Sequence, residues 1–182
     1  MNNASIKEFV DPYRHVGKSI CIYWKLYGGK TALLHSPYVH FSIIVSLCCY
    51  PIWATGSIET AWYSFCLSII PNLLGFTLGG YAILLAFGNE RFLALLAESD
   101  DDNEKSPYMG VNATFIHFIL VQTLSLFIAL IESVWCIKAG VFAFIGFTLF
   151  LYALSTSIAA ALSILRLARW FDVFLRKTKG EK

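Results

Sequence analysis

The chain has 182 residues, of which 57% are hydrophobic and 14% are charged, with a formal net charge of +2. An average soluble domain carries about 25% charged residues, so this composition excludes an ordinary soluble domain and indicates a membrane protein. The small net charge gives no reason to expect direct nucleic-acid binding.

The first 36 residues form a polar N-terminal segment. They contain no apolar region ending in a small-residue cleavage site, so we predict that no signal peptide is removed. Within the segment, KSICIYWKLY at 18–27 mixes aromatic and aliphatic residues with two lysines and precedes Gly28-Gly29. This pattern favours a short helix at the inner membrane interface, with its lysines near anionic lipid. The alternative is a loop that covers the bundle.

Four apolar stretches follow, and about 20 helical residues cross a bilayer. We predict an all-α integral membrane protein with four transmembrane helices at about 38–54, 62–87, 113–131 and 141–165. The first stretch is marginal in length. A cytoplasmic loop at 88–112 and a basic cytoplasmic tail at 166–182 complete the predicted organisation.

The basic residues predict the orientation of these spans. Of 14 Lys and Arg residues, only Lys138 lies in the two connections that follow spans one and three, so 14 − 1 = 13 fall on the other side. The positive-inside rule makes that side the cytoplasm, and both termini are therefore expected there.

Span two carries helix breakers inside its apolar run. Pro71 is expected to kink the helix, and neighbouring helices can satisfy the backbone groups that it frees. Small residues also recur at intervals of three or four, which places them on one helix face. They are Ser64, Ser68, Asn72, Gly75, Gly79, Ala82 and Ala86.

Small residues on a transmembrane helix let another helix approach closely, which favours association in lipid. Span four has a looser counterpart of this stripe, with members Gly146, Ala153, Ser157 and Ala160. We therefore predict that spans two and four use these faces for contact, within one subunit or between subunits. The competing interpretation is a pore-lining span two whose Asn72 faces water.

Polar residues at membrane depth are His40, Asn72, His117 and Gln122. Such groups are costly in hydrocarbon and usually face protein or water. The two histidines are expected to be hydrogen-bonded packing residues rather than proton relays. No nucleophile–base spacing, phosphate-binding loop or metal-ligand motif accompanies them, so we predict no enzymatic activity, cofactor or metal site.

The cytoplasmic segments are rich in charge. The acidic run at 100–104 favours a solvated loop over a calcium site, because it lacks the spaced ligands of an EF-hand. The tail RLARWFDVFLRKTKG is typical of a helix that contacts the membrane surface or a partner. Residues expected to make such contacts are Lys18, Trp24, Lys25, Arg166, Arg169, Trp170 and Arg176.

The segment PNLLGFTLGGYAILLAFGNERF at 71–92 resembles small four-span bacterial inner-membrane proteins of phage-defence loci, nearest to the membrane subunit of the Kiwa system. The resemblance covers this segment, the chain length and the number of spans. It implies a homo-oligomeric, multi-pass sensor or scaffold in the bacterial inner membrane. It also implies antiviral defence and a cytoplasmic protein partner that acts on nucleic acid.

Two functions remain open from the residues. The first is a non-enzymatic homo-oligomeric scaffold or sensor that contacts membrane lipid and recruits a cytoplasmic protein. The second is an oligomeric ion channel or depolarising pore lined by span two. A lipid-modifying enzyme ranks behind both.

Overall fold

The computed structural model describes residues 3–55, 61–86, 90–98 and 106–180. Within these ranges the regular structure is entirely helical. The helices are α1 (Asn3–Tyr27), α2 (Gly29–Leu34), α3 (Pro37–Cys48), α4 (Tyr50–Ala54), α5 (Trp62–Ala86), α6 (Glu90–Ala97), α7 (Pro107–Val134) and α8 (Val141–Gly180). The acidic run at 100–104 lies outside the described residues.

Three helices are long and apolar enough to cross a membrane, namely α5, α7 and the 141–178 part of α8. They confirm the all-helical membrane class and correspond to predicted spans two, three and four. The first predicted span is not one helix. It divides at Cys49 into α3 and α4, because Pro51 has no N–H with which to continue the helical ladder. The 12 residues of α3 extend only about 18 Å at 1.5 Å per residue.

The α3–α4 pair runs antiparallel to α8. The Ser42 and Ser155 hydroxyl oxygens are 3.2 Å apart, and Thr148 donates a hydrogen bond to Ser46 over 2.9 Å. Farther along, the Trp53 carbonyl accepts a hydrogen bond from the Gly140 N–H at 2.8 Å. These contacts extend over most of the apolar length of α8, so α3 and α4 together cover one side of that helix.

The main apolar core lies where α5, α7 and α8 meet. Trp62, Cys66 and Ile70 of α5 are fully buried there, against Phe147 and Phe150 of α8. Three small residues of the predicted α8 stripe, Gly146, Ala153 and Ala160, are buried inside the protomer, and Ser157 is half-buried. The α8 stripe therefore serves packing within one chain.

The small-residue stripe of α5 turns outward instead. All seven of its members are exposed, and no atom lies within 4 Å of a Cβ built on Gly75 or Gly79. Helices α5 and α8 do contact each other, but α5 presents a different face to the core, which includes Ile70 and Thr77. Of the two predicted arrangements, contact between both stripes inside one subunit is not formed, and contact between subunits stays a prediction. The core-facing side of α5 carries Trp62, Ile70 and Thr77, and the small-residue stripe lies outside it.

Gly146 is the point of closest approach in this core. The Trp62 ring crosses it, and a Cβ at position 146 would lie 2.6 Å from Trp62 Cη2 and 2.7 Å from Glu132 Oε1. Trp62 Nε1 also donates a hydrogen bond to Glu132 Oε2 at 3.2 Å. Only a residue without a side chain lets α8 pack under this pair.

Replacing Gly146 with alanine should destabilise the folded protein by about 1–3 kcal/mol, because the new methyl group overpacks a filled site. Gly75→Ala is the matched control, since its Cβ enters open space. Thermal unfolding in detergent measures both variants. Equal midpoints for the two variants would contradict the packing described for Trp62 and Gly146.

Candidate functional site

Polar side chains converge in the interior near one end of the bundle. We call it the basic end, because Lys18 and Lys25 of α1 and Arg166 of α8 lie there. His117 of α7 is at its centre and is buried. His117 Nδ1 lies 2.6 Å from the Tyr23 hydroxyl of α1, and His117 Nε2 lies 2.6 Å from the Tyr152 hydroxyl of α8. One imidazole thus joins three helices.

Tyr27 completes this Tyr–His cluster of Tyr23, Tyr27, His117 and Tyr152. Tyr23 and Tyr27 are four residues apart, so both rings point from one face of α1. The Tyr27 ring stacks on the imidazole of His117 with a centroid separation of 3.8 Å and an interplanar angle of 14°. The imidazole is therefore held at both nitrogens and across one face.

The chemistry of the cluster suits a neutral imidazole, which has one N–H donor and one acceptor nitrogen. A phenol can donate to the acceptor nitrogen and accept from the N–H, so both contacts are satisfied together. Burial raises the pKa of Tyr23 to about 12, which keeps its hydroxyl protonated at neutral pH. The cluster thus connects α1 to the membrane helices α7 and α8 through hydrogen bonds.

A second polar group lies deeper, at Gln122 of α7, which is fully buried. Gln122 Nε2 lies 3.2 Å from the hydroxyl oxygens of both Thr77 and Thr156, and 3.4 Å from that of Ser157. These contacts join α5, α7 and α8. Gln122 Oε1 has no hydrogen-bond partner among the described residues. The expectation that the histidines are hydrogen-bonded packing residues agrees with the contacts of His117, and Gln122 faces protein, which is one of the two surroundings expected for it.

An apolar cavity of about 770 Å³ opens between α5, α6, α7 and α8. Gly79 and Gly80 of α5 form part of its wall, and Phe92 of α6 lies opposite. Phe92 packs on Phe171 and Phe174 of α8, with centroid distances of 5.1 and 5.5 Å. These aromatic contacts attach the short helix α6 to the extension of α8.

The other residues singled out in the sequence lie mostly on the surface. His40 is exposed, and exposed Asn72 donates only to the Ser68 carbonyl of its own helix, at 3.3 Å. Pro71 lies inside α5, which continues from Trp62 to Ala86. Of the residues expected to contact membrane or partner, Trp24 is half-buried and the others are exposed. The described residues contain no cluster of three or more metal-binding side chains.

Sequence reasoning missed the partners of these buried groups. Tyr23 was expected at the membrane interface as part of 18–27, and Glu132 follows the predicted third span, although it is only 5% exposed. The four-residue spacing of Tyr23 and Tyr27 was the one available signal for a stacking face. Spacing along one helix does not indicate which other helix lies opposite.

Comparisons with protein-family models, curated proteins and solved structures give no match to this chain. The resemblance of residues 71–92 to membrane proteins of phage-defence loci therefore stays a prediction.

His117→Phe should loosen α1 from the bundle, because it removes the imidazole nitrogen that the Tyr23 hydroxyl of α1 contacts. A buried polar group left unsatisfied costs about 1–3 kcal/mol, so opening of α1 should increase roughly tenfold. Trypsin cleavage at exposed Lys18 and Lys25 measures this opening. His40→Phe is the control, since His40 is exposed on α3. Unchanged cleavage in the His117 variant would show that the cluster does not hold α1.

Proposed function

We propose that this protein is a non-enzymatic, homo-oligomeric membrane scaffold or sensor that recruits a cytoplasmic protein. The observation that carries the proposal is the outward small-residue face of α5. Inside the protomer this face contacts nothing at Gly75 or Gly79, although close packing is the main use of such residues in lipid. A second copy of the same helix is the partner that fits it.

The neighbouring surface of α5 supports self-association. Large exposed side chains stand beside the small-residue stripe, at Phe65, Ile69, Phe76 and Ile83. The small residues of α5 therefore form a groove, and the large exposed side chains form a ridge beside it. Helices pack when the ridge of one enters the groove of the other, so two identical α5 helices are complementary to each other.

Four membrane passes with both termini in the cytoplasm are part of the proposal. The α3–α4 pair follows α8 from Ser155 to Gly140, which supports a fourth pass made of two helical pieces. The distribution of Lys and Arg then supports a cytoplasmic basic end. The resemblance of residues 71–92 suggests the inner membrane of a bacterium as the location.

Recruitment would use the basic end. Its exposed basic residues and Trp170 offer charge and one aromatic anchor to a protein surface. The resemblance of residues 71–92 suggests antiviral defence as the setting, with the nucleic-acid chemistry performed by the partner. The membrane protein itself is not expected to bind nucleic acid.

An oligomeric channel or depolarising pore is the second candidate. Ser64, Ser68 and Asn72 are exposed on one face of α5, and such polar groups can line water in an oligomer. Ion flux through purified protein in liposomes distinguishes the candidates. Flux that disappears in Asn72→Leu would favour the pore.

Isoleucine at both Gly75 and Gly79 should reduce self-association severalfold, because branched side chains push the two α5 backbones apart. The measurement is crosslinked oligomer per unit of inserted protein. Span two stays apolar in the variant, so membrane insertion should be largely retained.

The double variant Leu78→Ile, Leu85→Ile is the control. It changes exposed apolar residues of α5 outside the stripe and should leave the ratio near that of the native chain. An unchanged ratio in the glycine variant, or a native protein that is strictly monomeric, would contradict the proposed assembly.

A further inference from the structure

Arg166 lies at the end of the apolar part of α8, and its guanidinium has no partner in the part of the chain that the structure describes. It is exposed, and within the described ranges it makes no ion pair or hydrogen bond. Farther along the same helix, Arg176 pairs with Asp172 at 3.0 Å. A planar arginine fork is well suited to binding two oxygens of one phosphate. Arg166 is therefore available for an anionic ligand.

Two cavities meet at Arg166. One of about 320 Å³ lies between the α2–α3 corner, α7 and α8, and one of about 350 Å³ lies between the start of α7 and α8. Thr114, Ser163 and Arg166 line both of them. The first cavity adds the imidazole of His35, and the second adds the indole of Trp170. Arg166 thus supplies a positive charge shared by the two cavities, and no carboxylate of the described residues lines either of them.

The first cavity is elongated along the membrane helices. Its lining follows α8 from Arg166 to Tyr152, which is about 21 Å at 1.5 Å per residue. Between these ends the lining combines apolar side chains, among them Phe118, Ala159 and Leu162, with the hydroxyl-bearing side chains of Thr156 and Ser163. A ligand with a charged group at Arg166 and an apolar chain directed into the bundle fits this cleft.

We propose that the cleft binds an anionic phospholipid, with the phosphate at Arg166 and one acyl chain along α8. A soluble phosphate would use Arg166 and the hydroxyls but would leave the apolar walls unfilled. A phospholipid would place its phosphate at Arg166 and its acyl chain along the apolar part of the lining. Helices α7 and α8, which form two sides of the cleft, are long and apolar enough to cross a membrane. The lipid would lie against Tyr27 and Tyr152, which also line the cavity and belong to the Tyr–His cluster. This inference goes beyond the proposed function, since it requires neither self-association nor a protein partner.

The test uses full-length protein, purified in neutral detergent and freed of lipid. Phosphatidylglycerol and phosphatidylcholine with identical acyl chains are added to separate samples. Native mass spectrometry then measures the amount of bound lipid, and thermal unfolding measures how much each lipid stabilises the protein. Phosphatidylglycerol should bind better and raise the unfolding midpoint more. Arg166→Gln should lower its affinity about tenfold, as expected for loss of charge-assisted hydrogen bonds. Arg166→Lys should restore part of the affinity, which excludes misfolding as the cause.

Arg169→Gln is the matched control. Arg169 is exposed on the same helix but lines neither cavity, and the substitution removes the same charge. It should bind phosphatidylglycerol as the native chain does. If Arg166→Gln and Arg169→Gln lose equal affinity for phosphatidylglycerol, the attraction is a diffuse property of the basic surface and the proposal is overturned. Equal affinity for phosphatidylglycerol and phosphatidylcholine would also overturn it. The same holds if glycerol 3-phosphate, added at the same concentration as the lipid, displaces phosphatidylglycerol completely.

Discussion

Polar groups inside a bilayer must find partners within the protein, because hydrocarbon offers none. Helix α7 brings five polar side chains into the interior, among them those of His117, Gln122 and Glu132. Each of these three side chains is hydrogen-bonded to at least one other helix. His117 contacts α1 and α8, Gln122 contacts α5 and α8, and Glu132 contacts Trp62 of α5. Lipid-facing apolar surface does not orient helices, whereas these bonds do. They set which faces of α1, α5 and α8 turn toward α7.

The outer surface follows from this inner arrangement. Once Thr77 turns toward Gln122, the stripe that contains Gly75 and Gly79 must face away from the core. The same reasoning places Tyr23 and Tyr27 of α1 against α7, while Lys18 and Lys25 stay exposed. The surfaces that we assign to self-association and to lipid are therefore consequences of polar pairing in the core. A change at His117 or Gln122 is expected to alter them indirectly.

Much of the fold could be predicted from the sequence, because long apolar runs identify α5, α7 and α8 by length alone. Helix α1 ends at Tyr27, before Gly28, which has φ = +104° and suits glycine. The sequence could not predict which face of each helix turns toward the core. When nearly every face is apolar, periodicity groups Gly75 with Gly79 but does not indicate whether they face the core or lipid. Likewise, His117 was identified as a buried polar residue, but its tyrosine partners are distant in sequence.

The proposed membrane arrangement depends most on residues 37–54 crossing the membrane beside α8, because this pass sets the side on which α1 lies. Single cysteines replacing Lys18, Thr55, Lys138 or Lys177 in a cysteine-free variant test it with an impermeant thiol reagent. In intact cells and in inverted vesicles, positions 55 and 138 should react only from outside. Positions 18 and 177 should react only from the cytoplasm. Reaction of positions 18 and 55 from the same side would contradict the four-pass arrangement.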